Sequence, residues 1–346
     1  MKAIVVRRTG GPEVLTLEEV KDPAPRAHEV VIAVEACGVC FHDVVTRNGT
    51  LRAGIEFPFI PGHEVAGTVV AVGSAVSGIA IGDRVATTQR SFICSRCRYC
   101  RSEREPLCAE AVFMGDAGLN GGYAQYVATS AATIAPVPDG VGMADAAIAA
   151  CAIGTVLHAV REIGKVRLGE PVLVTGAGGG LGLHAVQLAR ASNAVVIAQT
   201  MSEAKVPDIR AAGADHVVVG KDNETSAEIR ALTGGLGVDV AIDTVGTPLF
   251  QLVRRSMARG GRWVLVGQVN GDFVPFNPAQ LFLRGISLLS ATSTTRTELI
   301  DVLALIDRGL VKPAVAECLP LAEAARAHAL VESGAPVGRI VLRPAA

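Results

Sequence analysis

Two periodicities follow one another between residues 172 and 191. Val172-Leu173-Val174-Thr175 is an unbroken apolar or β-branched run, which predicts a strand buried on both faces. Leu181, Ala185, Leu188 and Ala189 then recur at helical spacing. Between them the glycines of Gly176-Ala177-Gly178-Gly179-Gly180-Leu181-Gly182 permit a sharp turn. Further strands are expected at 195–199, 216–219, 238–243, 262–266 and 286–289, separated by helical patterns or turns. Alternation of this kind predicts an α/β fold with a doubly wound parallel sheet. Residues 1–90 read differently. Short runs at 2–6, 30–34 and 66–72 are broken by Gly, Pro and Asp, so this part is expected to be all-β.

A strand, a glycine turn and a helix start together form an anion site, because unpaired backbone N–H groups and the positive helix end converge there. A dinucleotide pyrophosphate fits it. The glycines at 176, 179 and 182 are spaced G-x-x-G-x-x-G, with Ala177 departing from the stricter pattern, so the strands that follow carry much of the assignment. Candidate cofactor contacts in the turn are Gly176, Gly179, Gly180, Leu181 and Gly182, with Val266 at the end of a later strand.

The 346 residues favour two domains. The net charge of −1 gives no field to attract nucleic acid or an anionic membrane. The most apolar long stretch, 146–160, is interrupted by Gly154 and His158 and is too short to span a bilayer. The opening residues read as a strand with no apolar leader core, so a cytoplasmic protein is expected. Eight cysteines in such a chain argue for metal or thiol chemistry over disulfides, and seven of them precede the glycine turn. Cys94, Cys97, Cys100 and Cys108 fall in a C-x2-C-x2-C-x7-C spacing that can close a tetrahedral, structural zinc site. Spacing alone admits an iron–sulfur cluster, whereas the near-neutral charge speaks against a nucleic-acid-binding finger. Arg96, Arg98, Arg101 and Arg104 read as the solvated surface of this lobe.

Two further segments carry a resemblance. Residues 62–76 follow the pattern G-H-E-x-x-G-x-x-x-x-x-G-x-x-V, and Gly38-Val39-Cys40 is separated from Asp43 by two residues. On these motifs the chain resembles, over essentially its whole length, the zinc-dependent alcohol dehydrogenases of the medium-chain dehydrogenase/reductase superfamily. The resemblance implies a GroES-like β-rich catalytic domain (1–152 and 290–346, with a structural zinc lobe at about 90–110) and a Rossmann domain at 153–289 that binds NAD(P). The segment Gly338-Arg339-Ile340-Val341-Leu342 reads as a strand returning to the first domain.

By resemblance, Cys40, His63 and Cys151 would hold a catalytic zinc beside the structural one. Two thiolates and a neutral imidazole leave such an ion with an open position. Asp43 matches the carboxylate that orients the zinc-bound histidine. Glu64 matches a carboxylate that approaches zinc during ligand exchange, Thr155 a position beside the nicotinamide, and Arg339 a contact of the cofactor pyrophosphate. Read singly, Cys40 and Cys151 are also compatible with buried thiols, and Cys37 with Cys40 forms a C-x-x-C. Cys37 and Cys318 are expected to be core thiols.

Where the family usually has Ser or Thr to accept the alcohol proton, this chain has His42, whose ordinary pKa suits proton transfer. Val45 stands where well-known members have a relay histidine. No acidic residue ends the strand at 195–199. Thr200, Ser202 and Lys205 there favour NADP(H), with NAD(H) the alternative. Residues 173–187 and Ile242-Asp243-Thr244-Val245-Gly246-Thr247-Pro248 also resemble the NADPH-dependent acryloyl-CoA-type enoyl reductases. Two activities therefore stand open: alcohol/carbonyl hydride transfer, and reduction of an activated C=C bond. The expected partners are a small-molecule substrate and a second copy of the chain, as a homodimer or homotetramer paired through the strand at 286–289, with no nucleic acid or membrane.

Overall fold

The apolar run at 172–174 becomes the strand Pro171–Val174, central in a six-stranded sheet. Its neighbours are Val195–Thr200 on one side and Val238–Asp243 on the other. His216–Val219 lies beyond the first, Met257–Leu265 and Ser287–Ser290 beyond the second. Every pairing is parallel. Strands covered on both faces need apolar residues at both parities, which is why Val172, Leu173 and Val174 are all fully buried. The chain order across the sheet reverses between Pro171–Val174 and Val238–Asp243, the place where such sheets open a crevice at the carboxyl ends of the strands. The strand expected at 262–266 begins earlier, at Met257, and Ser287–Ser290 is an edge strand. Leu173, Ile197, Ala241, Val253 and Trp263 belong to its core.

This is a computed structural model describing residues 1–50 and 55–344, and it divides into two compact units: residues 155–292, which carry the parallel sheet, and residues 1–154 with 293–346. In the second of these, a seven-stranded sheet runs in the order Val315–Pro320, Arg339–Arg343, Glu29–Val39, Glu64–Val72, Arg84–Thr87, Ile134–Pro136, with Tyr126–Ser130 also paired to Glu29–Val39. The last strand of the chain returns to pair antiparallel with Glu29–Val39, setting Ile340 opposite Val39 and Leu342 opposite Cys37. Among the described residues no helix is long and apolar enough to cross a membrane.

Two expectations need correction. Residues 1–90 are not all-β, because a helix spans Phe41–Arg47. Cys40 caps it, and the Asp43 carboxylate accepts the Cys40 backbone N–H at 2.9 Å, satisfying a donor the helix start leaves open. Cys37 is buried, but Cys318 is not a core thiol. It lies on the edge strand Val315–Pro320, where alternation turns Leu319 inward and Cys318 out to solvent.

Candidate metal centres and nucleotide turn

Three separate pieces of chain meet within the unit of residues 1–154 and 293–346. Cys40 stands between the strand Glu29–Val39 and its following helix, His63 directly precedes the strand Glu64–Val72, and Cys151 lies in a widened π-helical turn, Ala149–Gly154. The ligand atoms of Cys40, His63, Glu64 and Cys151 all lie within 4.8 Å of one another, and all four residues are buried. The two sulfurs are 3.9 Å apart. With Zn–S bonds of about 2.3 Å, the S···S edge of a tetrahedron is about 3.8 Å, so the donor set fits zinc. Asp43 Oδ1 lies 3.1 Å from His63 Nδ1, which leaves Nε2 as the nitrogen for a metal.

The electrostatics of the cluster suit a cation. Neither buried Glu64 carboxylate oxygen accepts a hydrogen bond, although Oε1 is 2.7 Å from Arg339 Nη2. Burial pushes the Glu64 carboxyl up to about 7 against the pull of that guanidinium. The hydrogen bond with Cys151 holds Cys40 well below the usual thiol range, with Arg339 and His63 adding to it, while the same contact pushes Cys151 up. Burial alone would lower His63, but Asp43 and Cys40 outweigh it and raise the imidazole well above its ordinary value.

Arg339 is 5% exposed, paired with Glu64 and 3.7 Å from the Cys151 sulfur, so its guanidinium reaches the ligand cluster. The strand Arg339–Arg343 pairs with Glu29–Val39, which in turn pairs with Glu64–Val72, so Arg339 and Glu64 belong to one sheet.

His42 is half-buried, and its Nε2 lies 2.8 Å from Asp116 Oδ1. Its ring lies 4.5 Å from that of Phe113 and 5.2 Å, edge-on, from that of His63. Asp116 and Tyr123 had no sequence signal. The Tyr123 hydroxyl donates to Asp43 Oδ2 at 3.3 Å and lies 3.1 Å from His328 Nε2.

The four cysteines of the lobe also converge, with sulfur separations of 3.6 Å for Cys97–Cys100 and 3.9 Å for Cys94–Cys100, again a tetrahedral edge. The Cys97 and Cys100 backbone N–H groups donate to the Cys94 and Cys97 sulfurs. The Cys100 N–H leads the groups that lower Cys97 to about 7, which favours the ligating thiolate. Arg96 pairs outward with Glu110 at 2.9 Å, and Arg98 and Arg104 stack on Tyr99.

In the unit of residues 155–292 the glycine turn joins Pro171–Val174 to the helix Gly182–Ala191, with Leu181 at its cap. Gly176 has φ +58°, and a Cβ on Gly182 would stand 2.2 Å from the Gly176 carbonyl oxygen, so both positions need glycine. The Gly179 N–H closes onto the Gly176 oxygen at 2.9 Å, and His184 Nδ1 donates to the Gly180 oxygen. Gln199, fully buried, accepts the Gly176 N–H on its side chain and the Ala177 N–H on its backbone. The Val266 N–H is bonded to the Asp243 carbonyl, and Thr155, at the start of the helix Thr155–His158, is buried. Thr200 is buried and accepts the Ser202 N–H. Lys205 folds beneath the turn, 9% exposed, donating to the Gly178 oxygen at 3.3 Å. Burial lowers its pKa.

Comparison with known proteins agrees with this architecture. Residues 26–139 match the family described as alcohol dehydrogenase GroES-like domain, and residues 180–308 match zinc-binding dehydrogenase. The chain is 33% identical to an acryloyl-coenzyme A reductase of Sulfurisphaera tokodaii, over 99% of this chain and 100% of the relative. It is likewise 33% identical to an alcohol dehydrogenase of Geobacillus stearothermophilus, over 99% of each. Among solved structures, that of a protein called AibC superposes with TM-score 0.92 at 44% identity, covering 100% of this chain and 96% of that one. With a GroES-like unit, a Rossmann unit and these matches, the chain belongs to the zinc-type alcohol dehydrogenase family of the medium-chain dehydrogenase/reductase superfamily, and it is an oxidoreductase.

Proposed function

We propose that the chain is a zinc-dependent alcohol dehydrogenase or carbonyl reductase that uses NADP(H). The observation that carries this is the buried set of Cys40, His63 and Cys151, whose 3.9 Å sulfur separation and Asp43-oriented imidazole match the demands of a three-ligand zinc. When bound, zinc supplies Lewis acidity toward a carbonyl or alcohol oxygen, and the nicotinamide supplies or accepts hydride. Asp43 keeps His63 in the ligating tautomer, and Glu64 stands ready as a further carboxylate for ligand exchange. Asp116 accepts the proton on His42 Nε2, so Nδ1 is left to take the alcohol proton or return it. Cys94, Cys97, Cys100 and Cys108 hold the structural ion. Residues 153–289 form the nucleotide domain, with Thr155 beside the nicotinamide and the glycine turn on the pyrophosphate. NADP(H) is favoured over NAD(H) because no carboxylate ends the strand Val195–Thr200 to meet a ribose 2′-hydroxyl, while Thr200 and Ser202 offer hydroxyl donors. A second copy would pair through the exposed edge strand Ser287–Ser290.

The relative named acryloyl-coenzyme A reductase favours a second reading, reduction of an activated C=C bond. Metal analysis combined with an NADPH-oxidation screen over aldehydes, ketones, enones and enoyl-CoA thioesters separates the two. Turnover of aldehydes or ketones that is lost in Cys40→Ser supports the first reading. Turnover of C=C substrates alone, unaffected by Cys40→Ser, overturns it in favour of the second.

A further inference from the structure

Within residues 155–292, five arginines line one cavity of about 810 Å³: Arg230, Arg254, Arg255, Arg259 and Arg284. They come from the helices Asn223–Ala231 and Phe250–Ser256, the strand Met257–Leu265, and the turn after the helix Ala279–Phe282. Asp239 is the one carboxylate among the lining residues. Asp239 lies at the start of the strand Val238–Asp243, whereas the glycine turn follows the end of the parallel strand Pro171–Val174. The cavity and the glycine turn are thus at opposite ends of the same sheet.

Among the described residues, no carboxylate forms an ion pair with any of the five. Their hydrogen bonds go largely to neutral carbonyls: Arg230 to Gly235, Arg284 to Met257 and to Arg254 at 3.1 Å, Arg259 to Leu283 at 3.4 Å. Carbonyls orient a guanidinium without cancelling its charge. The mutual repulsion is felt at Arg284, which is lowered by burial and then by Arg230, Arg259 and Arg254. Arginines gathered on a concave surface with forks still open to it are suited to phosphate oxygens, which accept bidentate, charge-assisted hydrogen bonds. Concave walls also focus a field of a single sign.

We propose that this cavity binds a multiply charged phosphate group, as in inorganic tripolyphosphate or a nucleoside triphosphate, at a site separate from the dinucleotide turn. The test is calorimetric titration of the zinc-loaded protein in saturating NADPH, so that the turn is already filled, with tripolyphosphate and, separately, ATP. One anion per chain should bind, and the affinity should fall as salt is raised. In Arg255→Gln/Arg259→Gln, which changes two exposed residues outside the proposed catalytic and cofactor sites, affinity should drop about tenfold or more while turnover is kept. Arg8→Gln, an exposed arginine of the other unit, should change nothing. Equal affinity for the two ligands would assign recognition to phosphate alone, and tighter ATP binding would assign it to a nucleotide. Absence of binding with NADPH present, an unchanged double variant, or an equal loss in Arg8→Gln would each overturn the proposal.

Discussion

His328 gives the fold a specific weakness toward acid. Its imidazole is fully buried, with Nδ1 3.4 Å from Arg47 Nη1 and Nε2 3.1 Å from the Tyr123 hydroxyl. Arg47 can only donate, so Nδ1 accepts, and Nε2–H donates to the tyrosine oxygen, whose own proton goes to Asp43. This neutral tautomer satisfies every polar atom of the ring, and a second proton on Nδ1 would point at the guanidinium. Burial first, and Arg47 after it, lower His328 to about 4, while Asp43 and Glu332 oppose them. An unfolded chain restores a pKa of about 6.5, so between pH 6.5 and 4 the unfolded state holds the extra proton. Stability is therefore intact above that window and is lost as pH falls through it. At pH 5 the loss from this one group is about 2 kcal/mol, rising toward about 3 kcal/mol at pH 4. Urea unfolding of the zinc-loaded protein, followed by circular dichroism at pH 7 and pH 5, should show the wild type losing about 2 kcal/mol more than His328→Gln, since both share every other titrating group. An equal loss in the two proteins would refute the reasoning.

Asp116→Asn should lower kcat about tenfold or more with little change in KM, and should cost nothing further in a His42→Asn background; additive losses in steady-state kinetics would remove the proposed pairing. Cys97→Ser should lower the zinc content measured by atomic emission by one ion per chain, with a fall in Tm, and undiminished zinc would contradict the lobe assignment. Gly182→Ala places a methyl 2.2 Å from the Gly176 oxygen and should weaken NADPH binding about tenfold or more by calorimetry, whereas unchanged affinity would mean the turn does not hold the pyrophosphate.

The strands of the parallel sheet were legible because burial on both faces demands uninterrupted apolar runs, and the lobe because its four ligands lie close together along the chain. The helix Phe41–Arg47 was hidden among β-like runs, since its start is held by a Cys40–Asp43 interaction that reads equally well as part of a ligand motif. Cys318 was misread because parity on an edge strand, not residue type, decides exposure there. The pairing of Arg339 with Glu64 carries no local signal, because it joins residues of different strands of one sheet. The contact of Lys205 with the Gly178 carbonyl is likewise unreadable locally, since the two are 27 positions apart.

Local patterning pointed to the class of fold, the glycine turn and the four cysteines of the lobe, because periodicity and close ligand spacing act through neighbouring residues. Cys40, His63, Cys151 and the departure at His42 were legible only through the family resemblance. Sheet order and register decided the rest: that Asp116 meets His42, that Tyr123 links Asp43 to His328, that Gln199 holds the turn, and that five arginines share one cavity. These contacts join residues remote in the chain, and no local propensity encodes which of them will meet until strands have paired and helices have packed.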